Sequence, residues 1–215
     1  MPRLLHLDAS ARRDSYSRRV GRIFAEQWQA ANPSGEYVHR DLAADPVPHV
    51  DEALTEINEF AAANGINGVE EITARALRTP EQKATWAISE PLVTELLAAD
   101  VLLIGTPMYN FSVPSTLKAW LDRVIYPWVD LKDTRAVIVT ARGGSYAPGT
   151  PRAEFDYQET YLRALLSQCG LAEPTFINTE LTLSNVVPFL ARFKEVHTES
   201  YTTSQQSARE LAGLG

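Results

Sequence analysis

Residues 101–124 read Val101-Leu102-Leu103-Ile104-Gly105-Thr106-Pro107-Met108-Tyr109-Asn110-Phe111-Ser112-Val113-Pro114-Ser115-Thr116-Leu117-Lys118-Ala119-Trp120-Leu121-Asp122-Arg123-Val124. The first five are apolar without alternation, which predicts a strand covered on both faces and therefore a parallel sheet. Pro114 suits the first turn of a helix, and Leu117, Trp120, Leu121 and Val124 give that helix one apolar face. The loop between them is unusual. Met108, Tyr109 and Phe111 surround Asn110 at a strand end, and Pro107 and Pro114 stiffen the backbone. A flat heterocycle needs such a surface, apolar on its faces with donors and acceptors at its edge. A buried loop that fills a hole in the core would use the same residues.

The same reading extends outward. Leu4–Leu7, Glu36–Arg40, Ala136–Thr140 and Thr175–Ile177 are the other expected strands. Val20, Ile23, Phe24, Trp28 and Ala31 recur at helical spacing and stop at Asn32-Pro33. Residues 50–98 read as mostly helical, with Leu54, Ile57, Phe60 and Ala61 on one face and a second segment from Trp86 to Ala99. Glu154–Gly170 and Thr203–Leu214 are the last expected helices. Strands alternating with helices imply a parallel α/β sheet covered on both sides, and no linker or repeat divides residues 1–215, so one domain is expected. Right-handed crossovers bring the loops after the strands to one edge, where ligands bind.

Two more loops reach that edge. Asp8-Ala9-Ser10-Ala11-Arg12-Arg13-Asp14-Ser15-Tyr16-Ser17 leads into a helix. Ser10, Ser15 and Ser17 offer hydroxyls, the helix start offers free amides, and Arg12, Arg13, Arg18 and Arg19 concentrate positive charge. A bound dianion would relieve Arg18 and Arg19, which the helix dipole disfavours in a first turn. A serine cap with a solvated basic turn is the plainer reading. After the fourth expected strand, Ala141-Arg142-Gly143-Gly144-Ser145-Tyr146 lets the backbone approach a ligand closely, or simply turns.

With 45% hydrophobic and 22% charged residues the chain of 215 residues reads as globular, and a formal charge of −7 argues against nucleic acid or an anionic membrane surface as partner. One cysteine, Cys169, excludes an internal disulfide and reads as a buried structural thiol. No run approaches the roughly 20 apolar residues of a membrane helix, so a cytoplasmic protein is expected. His6 reads as a packed core histidine. His49-Val50-Asp51-Glu52 lacks partners for a metal, and no metal is expected. The Rossmann glycine fingerprint, the phosphate-binding P-loop and the G-x-S-x-G nucleophile motif are absent.

The run Pro107–Val124 resembles the FMN-dependent NADH:quinone oxidoreductase/azoreductase family, supported by Arg142-Gly143-Gly144, by Asp156-Tyr157-Gln158-Glu159-Thr160-Tyr161-Leu162 and by Ser10 with Ser15-Tyr16-Ser17. The resemblance implies a flavodoxin-like doubly wound five-stranded sheet, ordered 2-1-3-4-5, with tightly bound FMN and NADH or NADPH as co-substrate. It implies that Ser10, Ser15, Tyr16 and Ser17 hold the FMN phosphate. Met108, Tyr109, Asn110 and Phe111 cradle the isoalloxazine, and Ala141, Arg142, Gly143 and Gly144 lie at its pyrimidine end. It further implies a homodimer that reduces quinones by a ping-pong hydride transfer through flavin N5. The flavin carries that chemistry, and Tyr109 and Tyr146 are candidates for proton delivery only.

Ile125–Arg135 is shorter than the family's usual insert, so the roof over the flavin is reduced. Azo compounds are left as a second acceptor class. Tyr126 and Trp128 either replace the lost aromatics or pack in the core. A flavin or nitroaromatic reductase, a flavodoxin-type electron carrier and a binding protein without FMN are the competing readings.

Overall fold

Leu4, Leu5 and Leu7 are apolar on both sides of one strand, and that strand is central. β1 (Arg3–Asp8) lies between β2 (Glu36–Asp41) and β3 (Val101–Pro107), followed by β4 (Arg135–Ala141) and β5 (Thr175–Thr179). The computed structural model describes residues 1–171 and 173–213. All four pairings are parallel, in the order β2-β1-β3-β4-β5, as expected of the flavodoxin-like arrangement.

Alternate residues of the strands feed two cores. Leu4, Leu103, Val137, Val139 and Ile177 face α1 (Tyr16–Ala31) and α7 (Lys194–Ala212), meeting Phe24 and Trp28 of α1. Leu5, Leu7, Leu102, Ile104 and Ile138 face α2 (Glu52–Ala63), α4 (Pro80–Leu97), α5 (Ser115–Val124) and α6 (Tyr157–Gln168). Full burial of a side chain such as Phe24 stabilises by roughly 1.5–3 kcal/mol relative to exposure. These two layers hold the sheet edge rigid.

The region 50–98 holds three helices, with α3 (Val69–Arg75) between α2 and α4. α4 starts at Pro80, ahead of Trp86, because Thr79 and Gln82 cap each other's backbone. α6 starts at Tyr157 and not at Glu154. The Asp156 carboxylate accepts the Glu159 amide at 2.9 Å, and Ala153–Phe155 is a short 3₁₀ turn. α7 begins at Lys194, well before Thr203. Its buried face includes His197 and Ser204, bonded to the Glu180 carbonyl and the Thr179 hydroxyl, so hydropathy conceals it. The expected end of that helix, Leu214, lies outside the described residues.

Tyr126 and Trp128 stack at 5.2 Å beside Trp86, in the core under α4 and α5, which decides for packing. Cys169 is buried there, its thiol pushed up by burial, and His6 is 2% exposed. Asp51 caps α2 and accepts the Thr85 hydroxyl, while the His49 carbonyl accepts from buried Arg123. Among the described residues no helix is long and apolar enough to cross a membrane.

Candidate functional site

Three backbone bonds fasten the loops together beyond the strand ends. The Ala9 amide donates to the Gly105 carbonyl at 2.8 Å, Met108 to Ala141 at 2.9 Å, and Arg142 to Thr179 at 2.8 Å. The loops after β1, β3 and β4 therefore share one edge. A groove of about 370 Å³ opens among them. Ser10, Arg12, Ser15, Tyr16 and Arg19 line one end, and Pro107, Met108, Tyr109, Ala141 and Gly143 line the other.

The polar end is built on the start of α1. Ser15 is its N-cap and accepts the Arg18 amide at 3.3 Å, and the Ser10 hydroxyl accepts the Arg12 amide at 3.3 Å. The two hydroxyls hold fixed positions next to the helix's positive end. Ser17 is fully buried behind them, 3.3 Å from the Ser15 hydroxyl. The arginines differ from the expectation. Arg18 turns under the loop, donating to both Asp41 oxygens at 2.8 and 2.6 Å and to the Ser10 carbonyl at 2.7 Å. Asp41 is held below the usual carboxylate range. Arg18 hydrogen bonding is the largest influence, opposed by some desolvation and helped by the Ala43 and Ala44 amides. Arg19 pairs with Asp14 and lies 5.6 Å from the Tyr16 ring centre. Carboxylates of the chain, not a ligand alone, offset these first-turn cations.

The planar end is strained. Asn110 and Phe111 take φ of 47° and 69°, two consecutive non-glycine residues in the left-handed region. Tyr109 and Ser112 exchange both backbone bonds at 3.0 Å around them, making a two-residue hairpin. Such a conformation costs of order 1–3 kcal/mol per residue and persists where its surroundings enforce it. Asn110 and Phe111 do not line the groove itself; Tyr109 joins it to a neighbouring depression that includes Asn110, Ser112 and Tyr161.

The Arg142 side chain is not part of the groove lining. Its side chain is 1% exposed and lies among Asp156 at 2.7 Å, Glu159 at 3.3 Å and Glu180 at 3.7 Å. Its carbonyl accepts from the Thr182 amide at 3.0 Å. Arg142 therefore fixes the β4 loop from behind and does not touch the groove. Gly144 is likewise outside the lining, packed near Arg152 and Tyr146, and Tyr146 sits buried, edge-on to Phe111.

Glu159 in this cluster is half-buried, and desolvation pushes its carboxyl up. Hydrogen bonds from Arg163 and Asn178, with the charges of Arg163 and Arg142, outweigh that and hold it below its ordinary 4.5. A carboxylate with a depressed folded pKa contributes stability above its unfolded pKa and loses it as pH falls through the folded one. The stability difference between the protein and Glu159→Gln should therefore be constant from pH 7 to about 5 and shrink below about 4.5. Urea midpoints across that range measure it; a difference that grows in acid would refute the assignment.

The fourth wall went unread in the sequence. Thr182, Leu183, Asn185 and Val186, after β5, also line the groove, and the Asn185 amide donates to the Tyr16 hydroxyl at 3.3 Å. The signal was topological only: the loop after β5 must reach the same edge.

A family described as having a flavodoxin-like fold matches residues 2–195. The FMN-dependent NADH:quinone oxidoreductase of Nocardia farcinica is 50% identical over 212 residues, covering 98% of each chain. That of Parafrankia sp. is 40% identical over 222 residues, covering 99% of each. Among solved structures, an FMN-dependent NADH-azoreductase from Bacillus anthracis in complex with FMN superposes with a TM-score of 0.77 at 21% identity. It covers 99% of this chain and 100% of its own. At that identity the last likeness speaks for the fold; the sequence relatives, matched end to end, carry the assignment. The chain belongs to the flavodoxin-like family of FMN-dependent NADH:quinone oxidoreductases.

Proposed function

We infer that this protein is an FMN-dependent NADH:quinone oxidoreductase. The observation that carries the reading is a single groove with fixed serine hydroxyls at one end and a rigid, strained aromatic turn beside the other. The donor set fits FMN: hydroxyls, α1 amides and Arg12 suit a phosphate dianion, and a volume of about 370 Å³ lies in the usual range for cofactor sites. Ser10, Ser15, Tyr16 and Ser17 would hold the phosphate end, Ser17 through Ser15. Met108, Tyr109, Asn110 and Phe111 would hold the ring, and the Ala141–Gly144 loop would close its far end.

When bound, FMN supplies a two-electron carrier between NADH and the acceptor. The chain's part is placement and electrostatics. Asn110 and Phe111 offer preset amides that would favour negative charge at the ring edge. Tyr109 and Phe111, each about 40% exposed, offer apolar walls against which a nicotinamide and a small quinone would stack in turn. The Tyr109 hydroxyl at the rim is the proposed proton donor. Azo compounds are proposed as a second acceptor class. Residues 1–215 would act as one cytoplasmic unit.

A homodimer is proposed as well. Phe155, Tyr157, Val186 and Phe189 expose 40–72% of their surface, and Val186 is at the groove itself. Sedimentation at micromolar concentration should give twice the chain mass, and a monomer mass would dismiss this part. The main reading is tested by spectrum. Protein mixed with FMN and freed of excess should stay yellow, bleach with NADH, and recover colour with benzoquinone. Flavin that is retained but ignores NADH would indicate an electron carrier instead.

A further inference from the structure

β1 and β2 bring a second set of reactive side chains together on the face covered by α1. His6 and Asp8 are two apart on β1 and point the same way, and the strand register sets His39 beside His6. The ligating atoms of His6, Asp8 and His39 all lie within 4.8 Å of one another. His6 Nε2 is 3.8 Å from Asp8 Oδ1, and His39 Nε2 is 3.0 Å from Asp8 Oδ2. The sequence reading expected no metal, and the set spans two strands far apart in the chain.

The cluster is incomplete as it stands. His6 is 2% and Asp8 5% exposed, yet His6 Nε2 and Asp8 Oδ1 have no hydrogen-bond partner among the described residues. Buried polar atoms are nearly always satisfied, so two adjacent exceptions need an explanation. Glycine keeps both atoms uncovered. A Cβ on Gly21 would come within 2.9 Å of His6 Nε2, and one on Gly105 within 2.7 Å of Asp8 Oδ1. The other ring nitrogen, His6 Nδ1, is 2.9 Å from the Tyr37 hydroxyl. With Nδ1 donating, Nε2 presents its lone pair, the arrangement usual for a ligating imidazole.

We propose that His6, Asp8 and His39 form a binding site for one divalent transition-metal ion, with zinc the best match to two imidazoles and a carboxylate. The side chain of His39 is 39% exposed, so the site is reached from solvent and a water can complete four-coordination. Tetrahedral zinc needs ligand atoms ~3.4 Å apart. His6 Nε2 and Asp8 Oδ1, at 3.8 Å, would have to close by a few tenths of an ångström around the ion. Arg18 Nη1 lies 3.4 Å from Asp8 Oδ2 and opposes a cation. Its charge is already engaged by both oxygens of Asp41, so Asp8, Asp41 and Arg18 together leave one negative charge for the ion.

The test is zinc titration by calorimetry of the purified, chelator-treated chain. It is run with and without added FMN, so that the result does not depend on the flavin reading. One zinc per chain should bind at both flavin conditions. His39→Ala and Asp8→Asn should each weaken it at least tenfold, and His49→Ala should not. X-ray absorption at the zinc edge should show two imidazoles. Should Asp8→Asn fail to fold, His39→Ala decides alone, because that side chain is partly exposed. No saturable uptake, or uptake undiminished in His39→Ala (an adventitious surface ion only), overturns the proposal.

Discussion

Arg142→Ala should lose about 3–5 kcal/mol of folding stability and lower Tm by roughly 6–20 °C. The guanidinium is buried among Asp156, Glu159 and Glu180, and truncation takes that charge from Asp156 and Glu180 and leaves Glu159 with Arg163 alone. Breaking a buried pair by removing one partner costs more than the pair contributes, because the remaining charges stay desolvated. Arg142→Lys should recover only part of the loss, since one ammonium cannot fork between Asp156 and Glu159. Thermal and urea unfolding at pH 7 measure both effects. A loss below about 1 kcal/mol would mean the cluster is solvated and carries little.

FMN binding should fall by a factor of roughly 10²–10⁴ in the double variant Ser10→Ala/Ser15→Ala. Each hydroxyl lost from a charged acceptor removes about 1.5–3 kcal/mol, and each 1.4 kcal/mol is tenfold in Kd. Ser15→Ala also removes the cap of α1, about 1 kcal/mol of stability, so the single variants should be compared at equal folded fraction. Quenching of flavin fluorescence on titration reads the affinity. Retention within threefold would place the phosphate elsewhere. Ser17→Ala should do less, since Ser17 is buried behind Ser15 and would act through it.

The fold was readable because its determinants are local. Val101–Ile104 and Ala136–Val139 carry apolar residues on both alternations, and only a strand between two helical layers accommodates that. α7 was read short because its buried face uses His197 and Ser204, whose hydrogen bonds no hydropathy pattern reports. The site divided along the same line. Ser10, Ser15, Met108 and Tyr109 announce themselves by residue type in loops whose position topology dictates. Arg142 entered only as part of the Arg142-Gly143-Gly144 loop, and the partners of its side chain, Asp156, Glu159 and Glu180, arrive from two other segments of the chain. His6, Asp8 and His39 were invisible as a set until β1 and β2 were in register.

The central place of β1 bears on how the chain is made. Leu4 pairs with Tyr37 on one side and with Val101 on the other. At translation speeds of about 5–20 residues per second, β1 waits on the order of 5–20 s after leaving the ribosome before its second neighbour exists. During that interval one edge of an apolar strand is open to self-association. Nascent chains halted before residue 101 should therefore lean on chaperones, and chains released past residue 179, where every strand has its neighbours, should do so less.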